Sequence, residues 1–146
     1  MVDLREITRD NFDDCIKLKV SQVQKGFVAA NVFSLAQAWV YRATAFPFAI
    51  YHDDLLVGFI MLGYYEPESC YNVWRLMIDE RYQGKGYGRA ALLLGIRYLA
   101  DIHGAREVFL SVVPENTVAE GLYLSIGFKH TGAMSGDEAI MRLSTT

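Results

Sequence analysis

Gln83-Gly84-Lys85-Gly86-Tyr87-Gly88-Arg89 places three glycines within five positions. The stretch follows an apolar run, Val73 to Ile78, and opens a helical pattern from about Gly86 to His103. A strand, a glycine-rich turn and a helix N-terminus in series make a seat for a pyrophosphate. Glycines let the main chain approach phosphates with no Cβ in the way. The unpaired N–H groups of the first helical turn and the helix dipole then favour the anion. The chemistry this stretch implies is the holding of a phosphate-bearing cofactor.

Further residues could act on such a cofactor. Asn116 and Tyr123 are seven apart, two helical turns, and so share one helix face. A phenol with a pKa of about 10 is protonated at neutral pH and can donate a proton. Glu66 and Glu68 sit near the strand that leads into the glycine-rich turn. Cys70 as a nucleophile needs a base partner, and none is evident. His52, His103 and His130 lack ligand spacing, so no metal is expected.

The elements that must position these residues can be read from periodicity and turn chemistry. Leu4 to Ile7 reads as a first strand, and Thr8 or Asp10 caps a helix to about Val20. Ser34-Leu35-Ala36-Gln37 reads as a capping box that starts a second helix, with Leu35, Ala38 and Trp39 at helical spacing. Val20 to Phe33 has no clear pattern. Pro47 to His52, Asp53-Asp54 and Leu55 to Tyr65 read as a hairpin, and Asn72 to Ile78 as the next strand. The helix to His103 is apolar except for a stripe of Arg89, Arg97 and Asp101 interrupted by Leu93, so it should lie on a sheet with one narrow face wet. Arg106 to Val113 is a strand. Thr117-Val118-Ala119-Glu120 is a second capping box, opening a helix to about Ile126 with Gly127 as its stop. Lys129 to Leu143 reads as two short strands around Gly132 and Gly136. The order predicts a mixed α/β layer on a central sheet.

Bulk properties narrow the function. The 146 residues suit one domain, 1–146, and 52% hydrophobic residues supply a core. A net charge of -3 without a basic stripe argues against a nucleic-acid reader. No apolar run approaches the ~20 residues of a membrane span, so no membrane partner is expected. Two cysteines make no disulfide framework, the N-terminus lacks a signal-peptide pattern, and a cytoplasmic location is the expectation.

Three kinds of phosphate-binding turn compete. A nucleoside-triphosphate loop needs Gly-Lys followed by Ser or Thr, but Lys85 lies between glycines. A dinucleotide fold needs Gly-x-Gly-x-x-Gly early in a βαβ unit, but Gly84, Gly86 and Gly88 have another spacing and come late. The third kind fits. Gln83-x-x-Gly86-x-Gly88 after a strand resembles the coenzyme A loop of the GNAT N-acetyltransferase superfamily. Asn116-x-x-Ala119-x-x-Leu122-Tyr123-x-x-x-Gly127-Phe128 resembles that family's C-terminal motif. Two motifs in order, with a strand between, extend the resemblance over nearly the whole chain.

The resemblance implies a GNAT-like fold, a mixed and mostly antiparallel central sheet with helices on both faces. It implies acetyl-CoA as co-substrate. The main chain of Gln83, Gly84, Lys85, Gly86, Tyr87, Gly88 and Arg89 would hold its pyrophosphate. Leu76, Met77 and Ile78 would run beside the pantetheine arm, on a strand splayed from its neighbour, with the backbone at Met77 and Ile78 polarising the thioester carbonyl. Asn116 would touch the arm, Tyr123 would act as general acid, and a glutamate, here Glu66, would act as base through water. Val20 to Val28, Asp54 to Phe59 and Trp74 to Gly86 look like bacterial spermine/spermidine, or diamine, acetyltransferases. The expected partner is therefore a small amine such as a polyamine, with Glu66, Glu68, Asp137 and Glu138 in loops that could flank a cation. A protein or peptide amine, an aminoglycoside, and a non-catalytic acyl-CoA-binding role remain alternatives. A homodimer is compatible with the resemblance, though no interface is readable.

Overall fold

The computed structural model describes all residues, 1–146. In chain order the elements are β1 (Val2–Glu6), α1 (Phe12–Lys17), α2 (Asn31–Val40), β2 (Ala45–His52), β3 (Leu55–Tyr65), β4 (Cys70–Ile78), α3 (Tyr87–His103), β5 (Glu107–Val112), α4 (Thr117–Ile126), β6 (Lys129–Ser135) and β7 (Glu138–Ser144). One seven-stranded sheet, ordered β1-β2-β3-β4-β5-β7-β6, joins them. Every neighbouring pair is antiparallel except β4 and β5. This is the mixed, mostly antiparallel sheet that the resemblance implied.

The alternation of β3 divides the core into two layers. Ile60 and Leu62 point to one face and pack with Leu92 and Leu99 of α3. Phe59 and Met61 point to the other and pack with Cys15, Leu18 and Ala38 of the α1–α2 side. Successive strand side chains face opposite ways, so a strand with two apolar sets needs helices on both faces. Gly95 lets α3 lie close on the sheet: a Cβ there would come within 3.1 Å of Ile60 and Leu62. The stripe of α3 read from the sequence is its wet face, with Arg89, Leu93, Arg97 and Asp101 all exposed.

Several local expectations are corrected. The first helix is shorter than the pattern suggested, ending at Lys17. The second helix starts at Asn31, so Ser34 is no cap but a buried residue inside α2. The cap of α4 is Asn116, whose side chain accepts from the Ala119 N–H, and Thr117 is the first helical residue. Both boxes matched the right residue types at the wrong positions: α4 is capped by its own Asn116, and α2 begins three residues before Ser34, with no side-chain cap. Only Gly136 lies in the turn between β6 and β7. Gly132, with φ +86°, lies within β6 at an interruption of its pairing with β7.

Candidate active site

β4 is paired to β3 along its length, from Tyr65 opposite Cys70 to Gly58 opposite Ile78. Its other edge meets β5 only at Tyr71 opposite Val108 and Asn72 opposite Phe109. From Val73 to Ile78 that edge is unpaired, while β5 continues with β7 to Val112. The sheet therefore opens as a V. Its local cause is a bulge: Leu62 pairs Val73 and Met61 pairs Arg75, so Trp74 is the extra residue. A bulge bends its strand and re-aims the side chains beyond it. The V forms a cleft of about 1620 Å³, and Leu76, Met77, Ile78, Leu110, Val112, Asn116 and Tyr123 are among its lining residues.

The glycine-rich turn closes the β4 end of this cleft. Asp79 fixes it: the buried carboxylate accepts from Arg81 N at 3.0 Å, Arg81 Nε at 2.8 Å and Lys19 N at 3.0 Å. Gln83, Gly84, Gly86, Gly88 and Arg89 line the cleft. Lys85 and Tyr87 do not, and the Tyr87 ring turns away to stack on His52, 4.8 Å between centroids. Gly84 and Gly86 have φ of +78° and +84°, and a Cβ on either would meet no protein atom within 4 Å. The main chain is thus bare on that side, and the first N–H groups of α3 lack intrahelical partners, as at any helix start. These residues fit a pyrophosphate, and the free edge of β4 fits an extended pantetheine arm.

The Gln83 side chain has a structural task that the sequence did not reveal. Its amide donates to Ile78 O at 2.9 Å and exchanges two hydrogen bonds with Gln24, at 2.9 and 3.2 Å. This joins the patternless segment after α1 to the end of β4 and to the phosphate turn.

α4 supplies the other wall. Tyr123 packs edge-to-face on Phe128, 6.0 Å between centroids. Burial raises its pKa to about 12, and the nearby Glu138 charge adds to the rise. Asn116 is the residue just before the helix, with φ -85° and ψ 70°. The two-turn spacing from Tyr123 is therefore only roughly kept, yet both residues line the cleft.

The remaining end of the cleft carries charges of both signs. Glu66, Glu68, Asp137 and Glu138 line it, with Lys25 and Arg75 as cations. Glu66 and Glu68 are exposed, in the short helical turn after β3. The Arg75 guanidinium donates to Gln37 Oε1 and to Trp74 O, both at 3.0 Å, and its buried Nε has no partner. Burial lowers its pKa from the ordinary arginine value, against the pull of Glu138. Arg75, Gln37 and Gln24 were not identified as site residues from sequence. Arg75 had a readable signal, a charge inside an otherwise apolar strand; the two glutamines had none. No group of His, Cys, Asp and Glu is arranged to hold a metal ion, and no helix is long and apolar enough to cross a membrane.

Comparison with known proteins agrees with this geometry. Residues 4–128 match the Acetyltransferase (GNAT) family. The chain is 32% identical to a spermine/spermidine N(1)-acetyltransferase of Bacillus subtilis, over 97% of each protein. Its fold is similar to that of Vibrio cholerae spermidine N-acetyltransferase in a complex with CoA and spermine. That match has a TM-score of 0.78 and 19% identity, and covers 98% of this chain and 95% of the other. A PaiA N-acetyltransferase from Thermoplasma acidophilum, in complex with coenzyme A, gives 0.72 and 19% over 99% of each chain. With a glycine turn at the end of a splayed parallel pair and a family match across most of its length, this chain belongs to the GNAT acetyltransferase family.

Proposed function

We propose that this acetyl-CoA-dependent N-acetyltransferase acts on a primary amine of a polyamine such as spermine or spermidine. The observation that carries the reading is the single cleft opened between β4 and β5, which brings the phosphate turn, the free β4 edge, Tyr123 and four carboxylates into one space. The similarity to a spermine/spermidine N(1)-acetyltransferase over 97% of both chains supports the choice of amine. Two unpaired cysteines suit a reducing cytoplasm.

Acetyl-CoA supplies an activated acyl group and a thiol that can leave. The main chain from Gln83 to Arg89 would hold its phosphates, and the edge from Leu76 to Ile78 would align the arm as an added strand does. On the free edge of β4 the Ile78 N–H would be a donor for a carbonyl oxygen; the Met77 N–H, expected from the resemblance to share that role, points to Phe59 on the paired edge instead. Asn116 spends its Oδ1 on the cap, which leaves its amide nitrogen to donate. Tyr123 is a neutral donor at every ordinary pH. A phenol near 12 lies roughly three units above an ordinary thiol, so completed transfer from Tyr123 alone is uphill. Its contribution is a hydrogen bond to developing negative charge; its proton would pass to the leaving thiolate only as the second proton of the attacking nitrogen replaces it, the first having gone from the ammonium to the base.

Glu66 is the proposed base, acting through water. Because it is exposed, Glu66→Gln should lower kcat/KM for spermidine by about 10-fold, below the usual range for general bases. The deficit should shrink as pH rises and more of the amine is neutral without help from a base. An unchanged pH profile would remove Glu66 from that role.

Distal ammonium groups of a polyamine would meet Glu66, Glu68, Asp137 and Glu138. Steady-state rates with spermine, spermidine, putrescine, a simple alkylamine, an aminoglycoside and a lysine peptide test the assignment. The polyamines should exceed the monoamine in kcat/KM, and added salt should narrow the gap as screening shortens the reach of the carboxylates. A preference for the peptide or the aminoglycoside would overturn the polyamine reading alone. No thiol release with any amine would favour a binding module.

A further inference from the structure

The chain between α1 and α2 crosses the charged end of the cleft and is fastened to the cofactor end. Lys19 N–H donates to Asp79 Oδ2 at 3.0 Å, and Lys19 O accepts from Glu80 N–H at 2.9 Å. One short helical turn, Gln22–Gln24, comes next, and its last residue grips Gln83. On the far side Asn31 donates to Cys15 O at 2.9 Å and meets Met77 Sδ at 3.7 Å. Between Gln24 and Asn31 the chain forms no regular element. There Lys25, Gly26, Phe27, Val28 and Ala29 line the cleft.

The two glutamines are matched atom for atom. Gln83 Nε2 donates to Gln24 Oε1 at 2.9 Å and to Ile78 O at 2.9 Å. Gln24 Nε2 donates to Gln83 Oε1 at 3.2 Å, and Gln24 Oε1 also accepts from Ser21 N–H at 3.3 Å. Both protons of the Gln83 amide are thus used, and so is its oxygen. Both side chains are only half-buried. Water competes for such bonds, so each contributes modestly and the pair can open. A ligand that favours the closed pair then shifts the balance towards it.

The pair joins the two halves of the site. Gln83 opens the glycine turn. Ile78 O lies on the free edge of β4, because Met77 pairs with Phe59 and Asp79 N–H donates to Val57 O on the other edge. A pyrophosphate on the turn would hold Gln83, and an arm along β4 would hold Ile78. Both are what Gln24 depends on. We propose that Gln24 is a positioning residue: through Gln83 it sets Lys25–Ala29 against the cleft when the cofactor is bound, so that cofactor and amine bind with positive coupling. Linkage makes the effect reciprocal, each ligand tightening the other by the same factor. The inference rests on the glycine turn as the phosphate seat and not on which amine is acetylated.

Hydrogen exchange of the full chain with coenzyme A alone is the first test and needs no amine. Amides from Lys25 to Ala29 should exchange about 5-fold more slowly with coenzyme A bound, the low end of ordinary coupling. Gln24→Ala should lose this protection and keep its coenzyme A affinity within about twofold of the wild type. Calorimetry on the dead-end complex is the second test, because coenzyme A without its acetyl group allows no transfer. Spermidine should bind the wild type about 5-fold more tightly with coenzyme A than without it. Gln24→Ala should keep the affinity of the free protein and lose the gain. Direct attraction between ammonium groups and phosphates survives that substitution, so the loss measures the share carried by the pair. Gln24→Ala combined with Gln83→Ala should lose no more coupling than Gln24→Ala alone, since one tie is broken in either case. Exchange that coenzyme A leaves unchanged, protection that persists in Gln24→Ala, or a fall in spermidine affinity equal with and without coenzyme A would each overturn the proposal. If spermidine binds in neither state, the polyamine reading fails and the exchange result alone decides the coupling.

Discussion

Tyr123→Phe should lower kcat by about 10²–10³-fold, within the range that general acid catalysis contributes, and leave coenzyme A affinity nearly unchanged. The phenylalanine keeps the edge-to-face packing on Phe128 and removes only the hydroxyl. Two consequences separate a proton donor from a core aromatic. A loss confined to turnover means that the hydroxyl acts only as charge develops; equal losses in binding and turnover would mean that the ring had been holding the cleft open. The pH profile is the second. Because burial raises the Tyr123 pKa to about 12, its neutral, donating form persists as pH rises. In the wild type kcat/KM should therefore climb as the substrate amine loses its proton and show no fall from tyrosine ionisation below about pH 11. A descending limb near pH ~9, abolished by Tyr123→Phe, would contradict the environment described for this residue.

What the sequence made legible was what local chemistry dictates. The glycine turn, the helix to His103, the hairpin around Asp53-Asp54 and the α4 motif each depend on residues close in the chain. All four stand where periodicity and turn residues put them. The bulge at Trp74 depends on a neighbour: it exists because Leu62 and Met61 on β3 set the register of β4. No pattern within β4 itself announces it. Yet that bulge opens the cleft, so the geometry of the site was carried to the sequence reading by the family resemblance alone. The segment after α1 escaped for the same reason. Its place is fixed by Gln24 reaching Gln83, 59 residues away. Trp39 was misplaced because helical spacing says which residues share a face, not which face is inward. In α2 the buried residues are Asn31, Ser34 and Ala38, and Trp39 is 69% exposed.

Gly86→Asn should weaken coenzyme A binding by about 10²-fold, the scale of one or two lost hydrogen bonds to a charged group, while the melting temperature changes little. The choice of asparagine rests on the backbone. Gly86 has φ +84°, where a β-branched residue would strain the chain and confuse loss of fold with loss of binding. Asparagine tolerates that region and still projects a side chain into the space beside Gly86, which no protein atom fills within 4 Å. Gly88→Val approaches the same point from the other side. Gly88 lies in the first turn of α3 without a positive φ, and a Cβ there would touch Ile78 at 3.6 Å and Leu122 at 4.0 Å, ordinary contacts. The valine methyls would extend beyond them into the gap between β4 and α4. Calorimetry with two ligands locates the effect. Coenzyme A carries the pyrophosphate and should lose affinity for both variants; pantetheine lacks it and should bind Gly86→Asn and the wild type alike. Equal losses for the two ligands would mean that the substitutions had closed the whole cleft. Unchanged coenzyme A affinity in both variants would mean that the turn does not hold the phosphates.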